Sequence, residues 1–248
     1  MASTEPSPRL SLVLPVLNEE ARLSALLRQL RDRFPSAEIV VVDGGSEDRS
    51  AAVALREASV VLLGDRGRAA QMNLGGQAAR GDWLFFLHAD SDPEFTEAEC
   101  LASLEGLAAS SAAWGFCRVR LVGRSRALPL IGWFMNRRSC LTSVATGDQG
   151  LFISRELFDR VRGFAPIPLM EDVEICKRLR RRARPACLAL RVRSSGRRWD
   201  EKGVLATILR MWALRLAYCL GVSPQRLWHH YYGRHALVAD SRGRAGAA

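Results

Sequence analysis

Apolar runs and helix-spaced repeats alternate along the first half of the chain. Four runs of apolar residues predict buried strands: 10–16, 38–43, 59–64 and 83–90. Helices are predicted between them, at 19–34, 48–58 and 67–80. A β-α-β-α-β-α-β order predicts a mainly parallel sheet with helices on both faces. The fourth run is the most hydrophobic, so we place it at the centre of the sheet.

The second half of the chain has a less regular pattern. Helices are predicted at 94–109, 155–161 and 171–182, and strands at 116–122, 151–154 and 186–193. Segment 123–149 is interpreted as a functional loop region with a short helix. Residues 204–222 form a long apolar helix that contains Arg210 and Arg215, which makes it a poor transmembrane span. Two interpretations stay open for this helix: packing against the main domain, or lying in the plane of a membrane.

The pattern divides the chain into four parts. We expect a disordered N-terminus at 1–9, one α/β domain at 10–200, a helical extension at 201–235 and a flexible tail at 236–248. No apolar leader follows a basic start, so we expect a cytoplasmic protein, with peripheral attachment to the inner face of the membrane as the alternative. The six cysteines form no C-x-x-C pair, which favours free thiols over a disulfide framework or a zinc site.

The positive charge of the chain is localised. The net charge is +10, and ten basic residues without an acidic one lie between Lys177 and Arg198. The rest of the chain is balanced, with 26 basic and 26 acidic residues. Such a block indicates an anionic partner such as phosphate, lipid headgroups or nucleic acid, or otherwise a solvated helix face. No aromatic residue is interleaved before Trp199, so nucleic acid is not expected.

Carboxylates stand where predicted strands end and where a later helix begins. Asp43 and Asp90 each end an apolar strand, and Glu171-Asp172 opens the helix at 171–182. Parallel strands that end in aspartate deliver carboxylates to one edge of a sheet, the edge at which ligands bind in open α/β folds. Two carboxylates there can serve a nucleotide and a metal ion, and a third can act as a base.

Five segments in this order resemble the family-2 glycosyltransferases with the GT-A fold, over about residues 10–200. They are LVLPVLNEEARL, VVVDGGSEDRS, GRAAQMNLGGQAARGDWLFFLHADSDP, TGDQGLFISRELFDRVRGF and MEDVEICKRL. The resemblance implies a nucleotide-diphosphate sugar donor, a divalent metal ion and inversion at the anomeric carbon. The variants DGGS, LHAD, GDQG and MEDVE are similar to those of a small bacterial subgroup associated with arsenosugar biosynthesis.

The resemblance also implies a donor site. Asp43 would accept a hydrogen bond from the nucleotide base, or else only cap its turn, and Gly44 stands where many members have a second aspartate. Asp90 would bind Mg²⁺ or Mn²⁺, with Asp92 helping through water. His88 would ligate the metal, which favours Mn²⁺, or hydrogen-bond ribose or backbone. The remaining nucleotide contacts are assigned to Pro15, Asn18, Glu19, Arg68, Asn73 and Ala89.

The implied acceptor side comes from the second half of the chain. Asp172 would be the general base and Glu171 would orient the loop or the acceptor, although both acids also suit a helix N-terminus. Acceptor contacts are assigned to Asp148, Gln149, Arg198 and Trp199. SSGRRW (194–199) is similar to the Q-x-x-R-W signature of processive members but lacks its glutamine, so transfer of a single sugar is expected.

We therefore predict an inverting, metal-dependent glycosyltransferase that acts on a small-molecule or lipid-linked acceptor, with peripheral membrane contact through 204–222 as a further expectation. One alternative is a nucleotidyltransferase of related α/β plan, although LPVLNEEARL lacks the glycine-rich, lysine-bearing loop of that class. Another is a non-catalytic protein that binds nucleic acid or anionic lipid through the 177–198 block.

Overall fold

The structure, a computed structural model, describes residues 9–110 and 112–233. The predicted disorder of 1–8 and the predicted flexible tail lie outside the described residues. The strands are β1 Leu10–Val16, β2 Glu38–Asp43, β3 Val60–Leu63, β4 Trp83–Phe86, β5 Ser91–Pro93, β6 Trp114–Val122, β7 Leu151–Ser154 and β8 Pro185–Ser195. The helices are α1 Glu20–Arg33, α2 Ser50–Glu57, α3 Arg68–Ala78, α4 Glu97–Ala109, α5 Leu128–Thr142, α6 Arg155–Arg160, α7 Glu171–Leu179, α8 Arg197–Lys202, α9 Val204–Cys219 and α10 Pro224–Tyr232.

All eight strands form one sheet in the order β3-β2-β1-β4-β7-β6-β8-β5. The first four strands in that order are parallel, as predicted. β7 then runs antiparallel to β4 and β6, and β8 is parallel to β6. The prediction that the 83–90 run is central is confirmed, since β4 is fourth in the order. The carboxyl ends of β1, β2 and β4 therefore meet at one edge of the sheet.

Hydrophobic cores on both faces hold the sheet between helices. In β1, Leu12 and Leu14 point to the core beneath α1, α2 and α4, whereas Val13 points to the core beneath α3, α6 and α7. β2 divides in the same way, with Val41 on the first face and Val42 on the second. Strands buried on both faces read as continuous apolar runs, which is why the sequence located them well.

The second half contains more regular structure than the sequence indicated. The segment interpreted as a loop with a short helix contains α5, a helix of 15 residues. β5 and α8 were not predicted either. The expectation of free thiols is wrong for Cys140 of α5 and Cys187 of β8, which are joined with Cα atoms 5.5 Å apart, whereas the other four cysteines are free.

Two apolar clusters attach the last helices to the domain. Trp199 of α8 packs with Val119 and Ile131, and α9 contributes Ile208 to the same cluster. Leu214 of α9 and Leu227 of α10 pack against Met170 and Val173 beside α7. One face of α9 therefore packs on the main domain, as one of the two interpretations held. Within the described residues, no helix is long and apolar enough to cross a membrane.

Candidate active site

Asp43 lies at the carboxyl end of β2 and is almost fully buried, with 2% of its surface exposed. Its Oδ1 accepts hydrogen bonds from the backbone N–H groups of Gly45 (2.9 Å) and Ser46 (2.7 Å), so the carboxylate does cap the turn. Its Oδ2 is buried and has no hydrogen-bond partner among the described residues. A buried acceptor without a donor is costly, so this oxygen suits a ligand donor such as the N–H of a nucleotide base.

The side chain of Gln71 explains why residue 44 is a glycine. Gln71 of α3 donates hydrogen bonds to the carbonyls of Val16 and Val42, both 2.8 Å long, and so ties the ends of β1 and β2 together. A Cβ atom at position 44 would lie 2.9 Å from Gln71 Cδ. A second aspartate therefore does not fit here while Gln71 keeps its place.

The first turn after β1 lies beside the same edge. Asn18 adopts a left-handed conformation (φ 55°), and its Oδ1 accepts a hydrogen bond from the N–H of Glu47. Burial and the charge of Asp90 raise the pKa of Glu19, because the Glu19 carboxylate lies within electrostatic reach of Asp90. The side chains of Pro15 and Ala89 are buried, so the assignment of these two residues to the nucleotide stays a prediction.

His88, Asp90 and Asp148 form a cluster of candidate metal ligands. One ligand atom from each residue lies within 4.8 Å of the ligand atoms of the other two. His88 and Asp90 follow β4, and Asp148 belongs to a short 3-10 turn, Gly147–Gln149, that precedes β7. Because β4 and β7 are neighbouring antiparallel strands, the end of one meets the beginning of the other. The structure thus places Asp148, which the sequence assigned to the acceptor, beside Asp90.

Asp92 does not join this cluster, which corrects the prediction that it assists the metal. It lies in β5, where its Oδ1 accepts a hydrogen bond from Arg33 (2.6 Å) and its Oδ2 accepts one from Arg193 (2.5 Å). Both oxygens are already neutralised by cations. Asp92 therefore attaches β5 to α1 and β8 rather than serving the site.

The electrostatics of the cluster suit a cation. Burial and the positive charges of Arg68 and Arg198 lower the pKa of His88 to about 4, so its imidazole is neutral near pH 7 and has a lone pair to offer. Burial and the charge of Asp90 raise the pKa of Asp148 to about 6. A buried carboxylate whose pKa is raised by a neighbouring carboxylate gains from a bound metal ion.

The predicted Glu171-Asp172 pair begins α7, after Met170 in a left-handed conformation (φ 70°). Asp172 Oδ1 accepts from the N–H of Val173 (2.7 Å) and Oδ2 from the N–H of Gly147 (3.2 Å). Burial and the neighbouring Asp172 raise the pKa of Glu171 to about 7, and burial raises the pKa of Asp172. These two acids share a small cavity with His88 and Gly147, so the pair lies beside the metal-ligand cluster.

Gln149 is fully buried, which corrects its assignment to the acceptor. Its Oε1 accepts hydrogen bonds from the Ser139 hydroxyl (2.6 Å) and the Thr146 N–H (3.1 Å), and its Nε2 donates to the carbonyl of Cys117 (3.2 Å). Its amide is therefore fully used in shaping the 3-10 turn. Gln149 positions Asp148 rather than contacting a ligand.

Two other predicted contacts are also structural. Asn73 donates to the carbonyl of Phe164 (2.8 Å) and accepts from its N–H (2.7 Å), so its amide is occupied by the backbone of Phe164. Trp199 is buried in the cluster beneath α5 and α9 and offers no free ring face to a sugar. Its neighbour Arg198 is exposed, and its charge lowers the pKa of His88.

Arg68 and Arg138 contribute positive charge to the site. Burial acts to lower the pKa of Arg68. The carboxylates of Glu171, Asp148 and Asp90 nevertheless raise this pKa, as expected for a cation that faces them. Arg138 of α5 was not predicted; burial lowers its pKa, while the charge of Asp172 opposes that shift. Arg138 was missed because the segment that contains it was interpreted as a loop region.

Comparison with known proteins agrees with this geometry. Residues 11–119 match the family described as Glycosyl transferase family 2. A dolichyl-phosphate beta-glucosyltransferase of Mus musculus is 31% identical over 114 residues, covering 39% of this chain and 35% of that protein. An undecaprenyl-phosphate 4-deoxy-4-formamido-L-arabinose transferase of Pseudomonas paraeruginosa is 40% identical over 97 residues, covering 34% and 29%. The matched region thus spans about a third of these relatives' own length.

Solved structures show the same fold at low identity. A mannosyltransferase from Pyrobaculum calidifontis in complex with GDP-Man and Mn²⁺ gives a TM-score of 0.60 at 19% identity, covering 86% of this chain and 61% of the other. Glucosyl-3-phosphoglycerate synthase from Mycobacterium tuberculosis, in complex with Mn²⁺, UDP and glucosyl-3-phosphoglycerate, gives 0.56 at 22% identity, covering 85% and 79%. Residues 11–119 therefore match glycosyl transferase family 2, and the chain has the GT-A fold of these solved glycosyltransferases.

Proposed function

We propose that this chain transfers a single sugar from a nucleotide-diphosphate sugar to an acceptor hydroxyl, with inversion and with the help of a divalent metal ion. One observation carries the proposal: three kinds of group meet at one sheet edge. They are an unpaired buried carboxylate oxygen on Asp43, the His88–Asp90–Asp148 cluster, and the Glu171-Asp172 pair. In this arrangement Asp43 receives the base, the cluster faces the diphosphate and Asp172 faces the acceptor.

The donor set of the cluster fits a divalent cation. Two carboxylates and a neutral imidazole converge within 4.8 Å, and burial together with the neighbouring arginines keeps the imidazole unprotonated. When bound, Mg²⁺ or Mn²⁺ would neutralise charge on the departing diphosphate. Imidazole is a poorer ligand for Mg²⁺ than oxygen is, so this set favours Mn²⁺. Arg68 and Arg198 add positive charge near the same point.

Asp172 is proposed as the general base. The acceptor oxygen forms a bond to the anomeric carbon as the bond to the diphosphate oxygen breaks, and the hydroxyl proton passes to the Asp172 carboxylate. The backbone N–H groups of Val173 and Gly147 hold this carboxylate in place. Glu171, with its pKa of about 7, is partly protonated near neutral pH and can donate a hydrogen bond to the acceptor. A single displacement of this kind inverts the anomeric centre.

The outer faces of α5 and α9 form an apolar surface that supports peripheral membrane contact. Large apolar side chains project from it, and Trp212 and Leu220 are 72% and 77% exposed. The full set is Leu130, Trp133, Phe134 and Leu141 of α5, Leu205, Leu209, Trp212 and Leu216 of α9, and Leu220 directly after α9. Each helix carries two arginines and no acidic residue. Apolar and aromatic side chains combined with arginines fit the surface of an anionic bilayer.

The acceptor is proposed to be a small molecule or a lipid-linked molecule. The exposed apolar side chains of α5 and α9 favour a lipid-linked acceptor. The family match favours glycosyl transfer over nucleotidyl transfer and over a non-catalytic role of the 177–198 block. The similarity to the arsenosugar subgroup and the division into a 10–200 catalytic domain with a 201–235 extension stay predictions.

A panel of UDP-, GDP- and dTDP-sugars with Mg²⁺ or Mn²⁺ tests the proposal by donor hydrolysis and by calorimetric binding of the matching nucleoside diphosphate. The wild-type protein should bind one nucleotide in a metal-dependent manner. Asp90→Ala should lose the metal dependence, whereas Asp159→Ala, an equal charge change on the exposed side of α6, should not. Nucleotide binding by the wild-type protein that does not depend on the metal would contradict the proposal.

A further inference from the structure

A second cavity lies outside the metal-ligand cluster, where the last three helices meet. Its volume is about 250 Å³, several times the space that one water molecule occupies. It is lined by Arg198 of α8, by Tyr231 of α10 and by four residues of α9: Ala206, Thr207, Arg210 and Met211. No residue of this wall belongs to the part of the chain that matches the family, residues 11–119.

Two arginines give this cavity a positive lining. The guanidinium of Arg210 lies 4.5 Å from the centre of the Tyr231 ring, and that of Arg198 lies 5.8 Å from it. Arg210 also donates a hydrogen bond to the backbone carbonyl of Tyr231. Among the described side chains, no carboxylate forms an ion pair with either arginine. A guanidinium stacked on an aromatic ring keeps N–H groups at its edge, where they suit a phosphate.

The cavity lies on the acceptor side of the site. β8 leads directly into α8, and β8 and β2 are on opposite sides of β4 in the sheet. Asp43, at the end of β2, is therefore on the far side of the metal-ligand cluster from Arg198. The cavity is nevertheless close to the cluster, since the charge of Arg198 acts on both His88 and Asp148. α9 and α10 also pack against α7, which begins with the proposed base.

We propose that the cavity between α8, α9 and α10 binds a phosphate group carried by the acceptor, held by Arg198 and Arg210. This inference rests on the proposed function, because it assigns the acceptor to the side of Asp172. The phosphate belongs either to a soluble phosphate ester or to a lipid phosphate, and the acceptor hydroxyl is carried by the same molecule. The second source agrees with the outer face of α9, where Leu209 and Trp212 flank Arg210 in sequence and are exposed.

Calorimetric titration of the full chain with two probes tests the proposal. The probes are glycerol phosphate and a polyprenyl phosphate in detergent micelles, with glycerol and the corresponding polyprenol as controls without phosphate. We expect phosphate-dependent binding of at least one probe. Arg198→Gln and Arg210→Gln should each weaken it by at least about tenfold, since each removes charge-assisted hydrogen bonds. Arg215→Gln, the same change on α9 outside the cavity wall, should leave it unchanged.

The source of the phosphate follows from which probe binds. Equal affinity in the wild-type, Arg198→Gln and Arg210→Gln proteins would overturn the proposal. So would one-for-one competition between the phosphate ester and a nucleoside diphosphate with Mn²⁺, because the cavity would then belong to the donor. Metal-dependent nucleotide binding is measured on the same samples. If only that binding is absent, the proposed function fails while the phosphate site stands.

Discussion

Substitution Gly147→Ala is expected to weaken metal binding while leaving the protein folded. A Cβ atom at position 147 would lie 2.0 Å from Cε1 of His88 and 2.5 Å from its Nε2. Ordinary contact begins at 3.4 Å, so the imidazole would have to retreat by about 1.4 Å. Metal–ligand distances tolerate only about 0.2 Å of change. The backbone at Gly147 does not require a glycine, so the steric effect on His88 is the main one.

The expected loss is about 10–100-fold in Mn²⁺ affinity, which corresponds to about 1.4–2.8 kcal/mol. Mn²⁺ binding is measured by electron paramagnetic resonance, and folding is checked by thermal unfolding without metal. Gly106→Ala is the matched control, because a Cβ atom there meets nothing within 4 Å and lies inside α4. It should keep wild-type Mn²⁺ affinity and stabilise the helix by about 0.5–1 kcal/mol.

The His88→Ala variant tests whether the effect of Gly147→Ala on Mn²⁺ binding is transmitted through the His88 imidazole. If alanine at position 147 acts by displacing the imidazole, the double variant should bind Mn²⁺ no more weakly than His88→Ala alone. A folded Gly147→Ala protein with wild-type Mn²⁺ affinity would refute the assignment of His88 as a ligand. His88 would then serve a hydrogen bond, the other interpretation of its sequence position.

Asp172→Asn should reduce turnover by about 10²–10⁴-fold while nucleoside diphosphate affinity stays the same, measured by rapid quench and calorimetry; normal turnover would assign the base elsewhere. Mn²⁺ affinity should fall as the pH drops through about 6, because Asp148 becomes protonated there. The metal-free protein should in turn lose stability as the pH rises from about 4 to about 6–7, since the pKa values of Asp148 and Glu171 are raised in the folded state and the lowered pKa of His88 offsets only part of this loss; urea unfolding that is flat over this range would contradict this. Asp92→Asn should lower the free energy of unfolding by about 1–3 kcal/mol yet leave Mn²⁺ affinity unchanged, and a weakened Mn²⁺ site would return Asp92 to the metal. Trp212→Ser should reduce sedimentation with anionic vesicles but not thermal stability, and undiminished sedimentation would exclude this part of α9 from the contact.

The strand ends that carry the site were readable from the chain. β1 and β2 begin and end where their apolar runs do, because both faces of these strands are buried and most positions are therefore apolar. Asp43 and Asp90 follow such strands, so parallel pairing brings them to one edge. Asp172 was located by the resemblance of MEDVEICKRL to the family and by its place in an acidic pair at the start of a predicted helix.

The sequence failed where an element takes its place from distant partners. α5 was interpreted as a loop because its outer face carries exposed apolar residues, which blur the helical periodicity. β5 is three residues long and is held through Asp92 by Arg33 and Arg193, which lie far away in the chain. Such contacts leave no local pattern, so the sequence suggested that Asp92 assists Asp90 at the metal.

The sequence by itself determined the α/β order and the sheet edge to which Asp43 and Asp90 belong, since burial on two faces dictates apolar runs and parallel strands align their ends. Only the tertiary structure decided that Asp148 joins His88 and Asp90 and that Gln149 and Asn73 are structural. The antiparallel pairing of β4 with β7 sets residues 88 and 148 side by side. Pairing between strands so far apart in the chain depends on the packing of the whole sheet, which no local window of sequence contains.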